Sequence, residues 1–208
     1  MKERKVSEAV IRRLPRYYRQ LELLSAENVE RISSSELAQR MGLNPSQVRQ
    51  DLNCFGGFGQ QGYGYPVQNL HKEIASILGL TRSYRLVIVG AGNIGQALAK
   101  YEGFAQKGFE VIALFDVDEN LVGHTVNEKP ILPAEQLSGF IRENDVDIGI
   151  ITARRRSAQE IADTMVNAGI RAIWNFVPID VTASVPIENI QLSDSMFVLS
   201  YRLKSLED

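Results

Sequence analysis

Arg85-Leu86-Val87-Ile88-Val89-Gly90-Ala91-Gly92-Asn93-Ile94-Gly95 decides the fold of half the chain. Arg85 and the apolar, largely β-branched run behind it form a buried strand, and the strand runs directly into G-x-G-x-x-G. Glycine is needed there because the turn is tight and because backbone, not side chain, must approach a pyrophosphate at the start of the following helix. An Ala-rich helix is expected from this motif to about Lys107, with Gly108 ending it and Phe109–Phe115 forming the next strand. Asp116 follows that strand directly. At this distance past the glycine motif a carboxylate accepts hydrogen bonds from ribose hydroxyls and repels a 2′-phosphate. The expected domain is a Rossmann-type parallel sheet over residues 81–190, and the preferred ligand is NAD+ or NADH over the phosphorylated dinucleotides.

Farther along, Val146–Ile151 reads as another strand, ending in Thr152-Ala153-Arg154-Arg155-Arg156. Ser157 and Glu160 have capping-box spacing for the helix that follows. Three arginines at the positive end of a helix are unfavourable without a nearby anion. Either cofactor phosphates supply it or the side chains are simply solvated; both remain open. Arg171–Pro178 is a strand end at which Asn175 and Phe176 are candidates to receive a nicotinamide, although core packing explains Trp174 equally well. Thr152, Ala153 and Arg154 complete the candidate cofactor-binding set with Gly90–Gly95 and Asp116.

Working back toward the N-terminus, Val6, Val10, Ile11, Leu14, Tyr17, Tyr18, Leu21 and Leu24 recur at helical spacing, with Pro15 allowing a kink or break. Ser33 and Glu36 form a capping box and Gly42 is a helix stop. Asn44 then caps a second short helix with Pro45 at its first position and Gln47 at the reach-back position. Two helices joined by so tight a turn read as a helix-turn-helix. Val48, Leu52 and Phe55 make its buried stripe, which leaves Ser46, Gln47, Arg49, Gln50 and Asn53 exposed, all types that read base edges in a major groove. A protein-binding three-helix bundle with a solvated polar face is also compatible with this pattern. Gly56–Tyr65, with five glycines between aromatics, is expected to form a wing in which Gln60, Gln61 and Tyr63 touch the duplex. Residues 1–80 are thus expected to be an α+β winged helix that binds DNA.

Composition agrees with two globular domains, since the chain has 208 residues, 44% hydrophobic and 23% charged. That is enough apolar material for two modest cores. The net charge of −2 divides unevenly, with 12 Lys and Arg against 8 Asp and Glu in residues 1–83 and 11 against 17 in the remainder. Only the first part suits a polyanion. No stretch approaches the apolar length of a membrane span, and Met1-Lys2-Glu3-Arg4-Lys5 leads into an amphipathic helix, not a signal peptide. A soluble, cytoplasmic protein is expected. Cys54 is the single cysteine, read as a small packed residue. No metal site is expected. The tail from residue 191 to 208 is rich in apolar residues, more than a terminal helix hides against one sheet, so a partner subunit is its expected cover.

Taken in order, Ser46–Leu52, the Phe55–Gly64 glycine run, Gly90–Gly95 with Tyr101, and Asn175-Phe176-Val177-Pro178 resemble the Rex family of redox-sensing repressors across essentially the whole chain. The resemblance implies a homodimer with exchanged C-terminal helices, binding to a palindromic double-stranded DNA operator in the free or NAD+ state, release by NADH, a role for Tyr101 in the cofactor site, and no catalysed reaction. This chain departs from the family at Gln50, Gln60 and Gln61, where basic residues are usual, at Gln191, where Asp is common, and at Arg154–Arg156. The competing expectations are an NAD-dependent dehydrogenase, for which only His71 and His124 are available as histidine acids, and a nucleotide- or CoA-binding adaptor.

Overall fold

A computed structural model describes residues 6–56 and 63–206, and its contacts divide the chain into two compact units between Arg82 and Ser83. Each unit has its own core.

In the first unit, α1 (Glu8–Ala26) buries Val10, Leu14, Tyr17, Leu21 and Leu24 on one face. It runs through Pro15 without a break, because apolar residues on both sides of the proline share that buried stripe. After β1 (Arg31–Ile32) comes α2 (Ser34–Met41), opened by the reciprocal Ser33–Glu36 capping box and closed by Gly42 in the left-handed conformation. The Glu36 carboxyl is held below the usual range mainly by the Ser33 backbone amide. Next, α3 (Pro45–Asn53) starts at Asn44, whose side chain accepts from the Ser46 amide. Gln47 makes no reach-back bond; it turns along the helix to Asp51 instead. Then β2 (Tyr65–Pro66) pairs antiparallel with β1, and α4 (Val67–Ile77) packs Leu70 and Ile74 against the same core. Each fully buried leucine contributes about 2 kcal/mol, so the stripe on α1 is the main organiser of this unit. The expected wing tip, with Gln60 and Gln61, lies outside the described residues. Cys54 is exposed, its thiol donating to the Gln50 carbonyl, and so is not the packed residue expected.

The second unit is built on seven strands. They are β3 (Tyr84–Val89), β4 (Phe109–Asp116), β5 (Thr125–Val126), β6 (Lys129–Pro133), β7 (Ile148–Ile151), β8 (Ala172–Asn175) and β9 (Ile187–Asn189), in the spatial order β5-β6-β4-β3-β7-β8-β9. All pairings are parallel except that of β5 with β6. Without the β5 edge this is the doubly wound order 3-2-1-4-5-6, with its switch point between β3 and β7. Strand alternation supplies two cores. Val87 and Val89 face one side with residues of α7 (Leu137–Glu143) and α8 (Ala158–Ala168), while Leu86 and Ile88 face the other with Ala99 of α5 (Asn93–Ala99). The helix expected to reach Lys107 is two helices, α5 and α6 (Glu102–Ala105), because Tyr101 adopts an extended backbone between them and swings its ring over Gly103. The chain closes with α9 (Leu192–Lys204), which has no buried residue. No helix among the described residues is long and apolar enough to cross a membrane.

Candidate functional site

The C-terminal ends of β3, β4 and β7 enclose a cavity of about 710 Å³ within the second unit. Gly90 sits at the end of β3 with φ +106°, and a Cβ there would lie 2.6 Å from the Thr152 carbonyl carbon at the end of β7. Thr152 donates through Oγ1 to the Gly90 oxygen at 2.7 Å, stitching the two strand ends together at the switch point. Gly95 is equally constrained, since a Cβ would fall on the Gly90 carbonyl oxygen. These glycines therefore let the first turn of α5 sit close against the strands, where Gly92, Asn93 and Ile94 remain exposed.

Asp116, at the end of β4, lines the same cavity. Its Oδ2 accepts from the Ala91 amide at 2.6 Å and its Oδ1 from the amides of Val117 and Asp118 at 2.8 and 3.0 Å. The carboxylate thus stabilises the glycine turn while staying half-exposed to the cavity, where hydroxyl donors can reach it. Across the mouth lie Ala153 and Arg154. Sequence reasoning missed Asp118, Leu121, Glu160 and Thr164, which share the lining. Asp118 lies two residues past Asp116; the Asn120 backbone amide, chiefly, holds its carboxyl below the usual range, with Arg154 adding a smaller pull.

The remaining expected cofactor residues lie elsewhere. Tyr101, 60% exposed, stands edge-on to Phe104, which meets Trp174, which leans on Phe176 at 4.5 Å. Asn175 is wholly buried and its amide is committed to Ile179, Val177 and Asn189, so it shapes the loop after β8 and has no side-chain atom free for a ligand. Ser157 forms no capping box: a short 3-10 turn over Arg155–Ser157 puts it in helical conformation, and its hydroxyl donates to the Arg154 carbonyl.

On the first unit, α3 exposes Ser46, Arg49, Gln50 and Asn53, with Gln47 half-buried. Arg49 is tethered by Ser34 Oγ at 3.2 Å and Ser46 Oγ at 3.0 Å. Tyr63 is exposed, and its carbonyl accepts from Arg31 at the base of the strand pair. Behind this surface lies Asp51, 0% exposed, an acid inside the Ser46–Leu52 stretch that was not among the candidate site residues. It accepts a bidentate pair from Arg13 at 2.7 and 2.8 Å, a third bond from Tyr17 at 2.9 Å and a fourth from Gln47 at 2.8 Å. Burial alone raises a carboxyl, but these bonds outweigh it and hold Asp51 below its ordinary value. Burial, then the bond to Asp51, pushes the Tyr17 hydroxyl far up, and Arg13 rises through the same pairing.

Comparison with known proteins fits both halves. Residues 5–53 match the family described as "Putative DNA-binding protein N-terminus", and residues 81–179 the family described as "CoA binding domain". The redox-sensing transcriptional repressor Rex of Caldicellulosiruptor bescii is 54% identical, the match covering 97% of this chain and 94% of the relative. The chain belongs to the Rex family. The Rex of Clostridium perfringens is 50% identical, with 97% and 96% covered. Among solved structures, RSP in complex with beta-NAD+ and operator DNA superposes with a TM-score of 0.93 at 50% identity, covering 97% of this chain and 94% of RSP. RSP in complex with beta-NADH gives 0.90 at 47% identity, covering 98% and 96%.

Membership of the Rex family leaves one surface of the chain to be accounted for. Along α9, Met196 is 62% exposed, Phe197 68% and Tyr201 73%. That is far more apolar area than an isolated surface helix ordinarily presents.

Proposed function

We propose that this chain is a cytoplasmic redox-sensing transcriptional repressor: the first unit grips operator DNA, the second takes NADH or NAD+, and NADH weakens the grip. The observation carrying this reading is the union, on one chain, of an exposed polar recognition face on α3 with a glycine-cradled cavity that ends on Asp116. The named relatives are repressors, not enzymes, and His71 and His124 do not line the cavity, so the chain takes the dinucleotide as a signal and turns nothing over.

In the bound state, Gly90 and Gly92 admit the pyrophosphate to backbone distance and Asp116 accepts from the adenosine ribose. Thr152, Ala153 and Arg154 close the opposite wall, with Arg154 supplying positive charge near the phosphates. Asn93 and Ile94 complete the turn, and Tyr101 and Phe176 bracket the nicotinamide end from the aromatic chain. Asn175 acts through the loop it holds. On the DNA, Arg49 and Gln50 address base edges, Ser46 and Asn53 the flanking groups, and Gln60, Gln61 and Tyr63 the groove beside them. A domain organisation of 1–80, 81–190 and 191–208 gives the third segment to dimerisation: α9 of each protomer covers its apolar face on the other, and the two recognition helices meet a palindrome.

An electrophoretic shift assay with a palindromic operator tests this. NADH should weaken binding, and NAD+ should do so much less. Equal effects of the two nucleotides, or none, would remove the sensing role, while calorimetry showing tight CoA or NADPH binding and no response to NADH would reassign the cavity.

A further inference from the structure

Gln47 occupies the third position of α3, in the first turn of the helix that faces DNA in this reading, and its Nε2 donates to Asp51 Oδ1. N-terminal residues of such a helix are the ones that reach base edges. A glutamine amide in water turns over freely and offers either its oxygen or its nitrogen to a partner. Gln47 cannot. Asp51 is wholly buried and holds ion-paired Arg13, so it presents acceptors only. Turning the amide over would set Gln47 Oε1 against Asp51 Oδ1, acceptor against buried carboxylate acceptor, and would leave Oδ1 with Arg13 as its one remaining donor. The nitrogen therefore stays inward, and the edge left for a ligand consists of Oε1 with the second N–H beside it. Adenine offers a matching pair in the major groove, an N6 amine donor and an N7 acceptor, whereas guanine offers two acceptors at O6 and N7.

We propose that Asp51 is a positioning residue for sequence recognition: by fixing the orientation of the Gln47 amide, it makes α3 select adenine over guanine at one base pair of each operator half-site. This rests on the operator-binding reading above, and the two fail differently.

The test is selection of operator sequences from a random duplex pool by the full-length chain and two variants, followed by shift assays with single-base changes. The wild-type chain should enrich an adenine whose replacement by guanine lowers affinity about tenfold or more, the range expected of a bidentate contact. Gln47→Ala should lose the preference at that position alone. Asp51→Ala, kept below its unfolding temperature and checked for helix content, should lose the same preference and keep those at other positions. Full adenine preference in either variant overturns the inference while leaving the repressor intact; failure of the wild-type chain to enrich any duplex overturns the operator reading and this inference with it. Should Asp51→Ala not fold, side-chain amide proton exchange in the wild-type chain decides, with the exposed Gln68 as the reference. Gln47 should exchange about tenfold more slowly than Gln68, as expected of a bond to a charged acceptor, and equal rates would overturn the inference.

Discussion

Asp51 and Asp116 are both aspartates at the edge of a surface through which the chain meets a ligand, and their settings are opposite. Asp51 has no exposed surface and spends its oxygens on Arg13 and Tyr17, both distant in sequence, and on Gln47 one turn back along its own helix. Asp116 spends its oxygens on backbone amides, two of them just beyond it in the chain, and keeps one face toward the cavity. The first arrangement fixes the pose of one helix upon another. The second shapes a turn and still has acceptor capacity to give a ribose. Exposure, not residue type, separates architecture from ligand recognition here.

That contrast can be broken most forcefully at Asp51. Replacing it with Ala leaves Arg13, itself partly exposed, without its partner. The first unit should lose about 3 kcal/mol, toward the low end for breaking a buried pair. Urea unfolding followed by helix circular dichroism measures it; a loss under about 1 kcal/mol would make the pair equivalent to a surface bridge. Asp116→Ala should cost the second unit less than Asp51→Ala costs the first, about 1 to 2 kcal/mol for the buried Ala91 amide left without its acceptor, and should weaken NADH binding by about tenfold to a hundredfold, read by calorimetry, as expected for hydrogen bonds to a charged group. Unaltered NADH affinity would mean that Asp116 serves the turn alone. Arg49→Ala, on the exposed side of α3, should lower operator affinity by about tenfold and leave NADH binding intact. Loss of both would place Arg49 in the fold and not in the groove.

The smallest effect concerns pH and sharpens the role of Asp51. Its folded-state carboxyl titrates below the ordinary value. Its contribution to stability is therefore complete above the unfolded value of about 3.9 and disappears as pH falls through the lower folded one. The wild-type first unit should lose stability in acid more steeply than Asp51→Ala. Parallel pH profiles would remove the carboxylate as the cause.

The same two regions show what was legible in the sequence. The glycine turn was readable because its constraint is local: strand, Gly90, Gly95 and Asp116 succeed one another at distances fixed by one βαβ unit. So were Ser33–Glu36, Gly42 and Asn44–Pro45, whose partners lie within a single helical turn. Ser157–Glu160 has the same spacing as Ser33–Glu36 but follows a 3-10 turn, and backbone conformation, not spacing, decides whether a serine caps. Tyr101 interrupts a good helical pattern because Gly103 leaves room for its ring, a tertiary preference invisible to periodicity. The Arg13–Asp51 pair spans 38 residues, and Asp51 next to Leu52 looks like an ordinary boundary position. The hints were its place beside the buried stripe of Val48 and Leu52 and inside the Ser46–Leu52 stretch that carries the family resemblance. Asn175 shows the converse: a polar residue at a strand end reads alike whether its side chain faces a ligand or, as here, holds the loop behind it.

A ligand-controlled repressor requires that the cavity and the recognition helix share one equilibrium, so that occupancy of either disfavours the other. NADH should be titrated with and without saturating operator, following quenching of Trp174, the single tryptophan. Operator should weaken NADH binding by the same factor by which NADH weakens operator binding, about 5- to 150-fold. Superimposable NADH titrations with and without operator would mean that the two sites are uncoupled and that the chain is not a redox sensor.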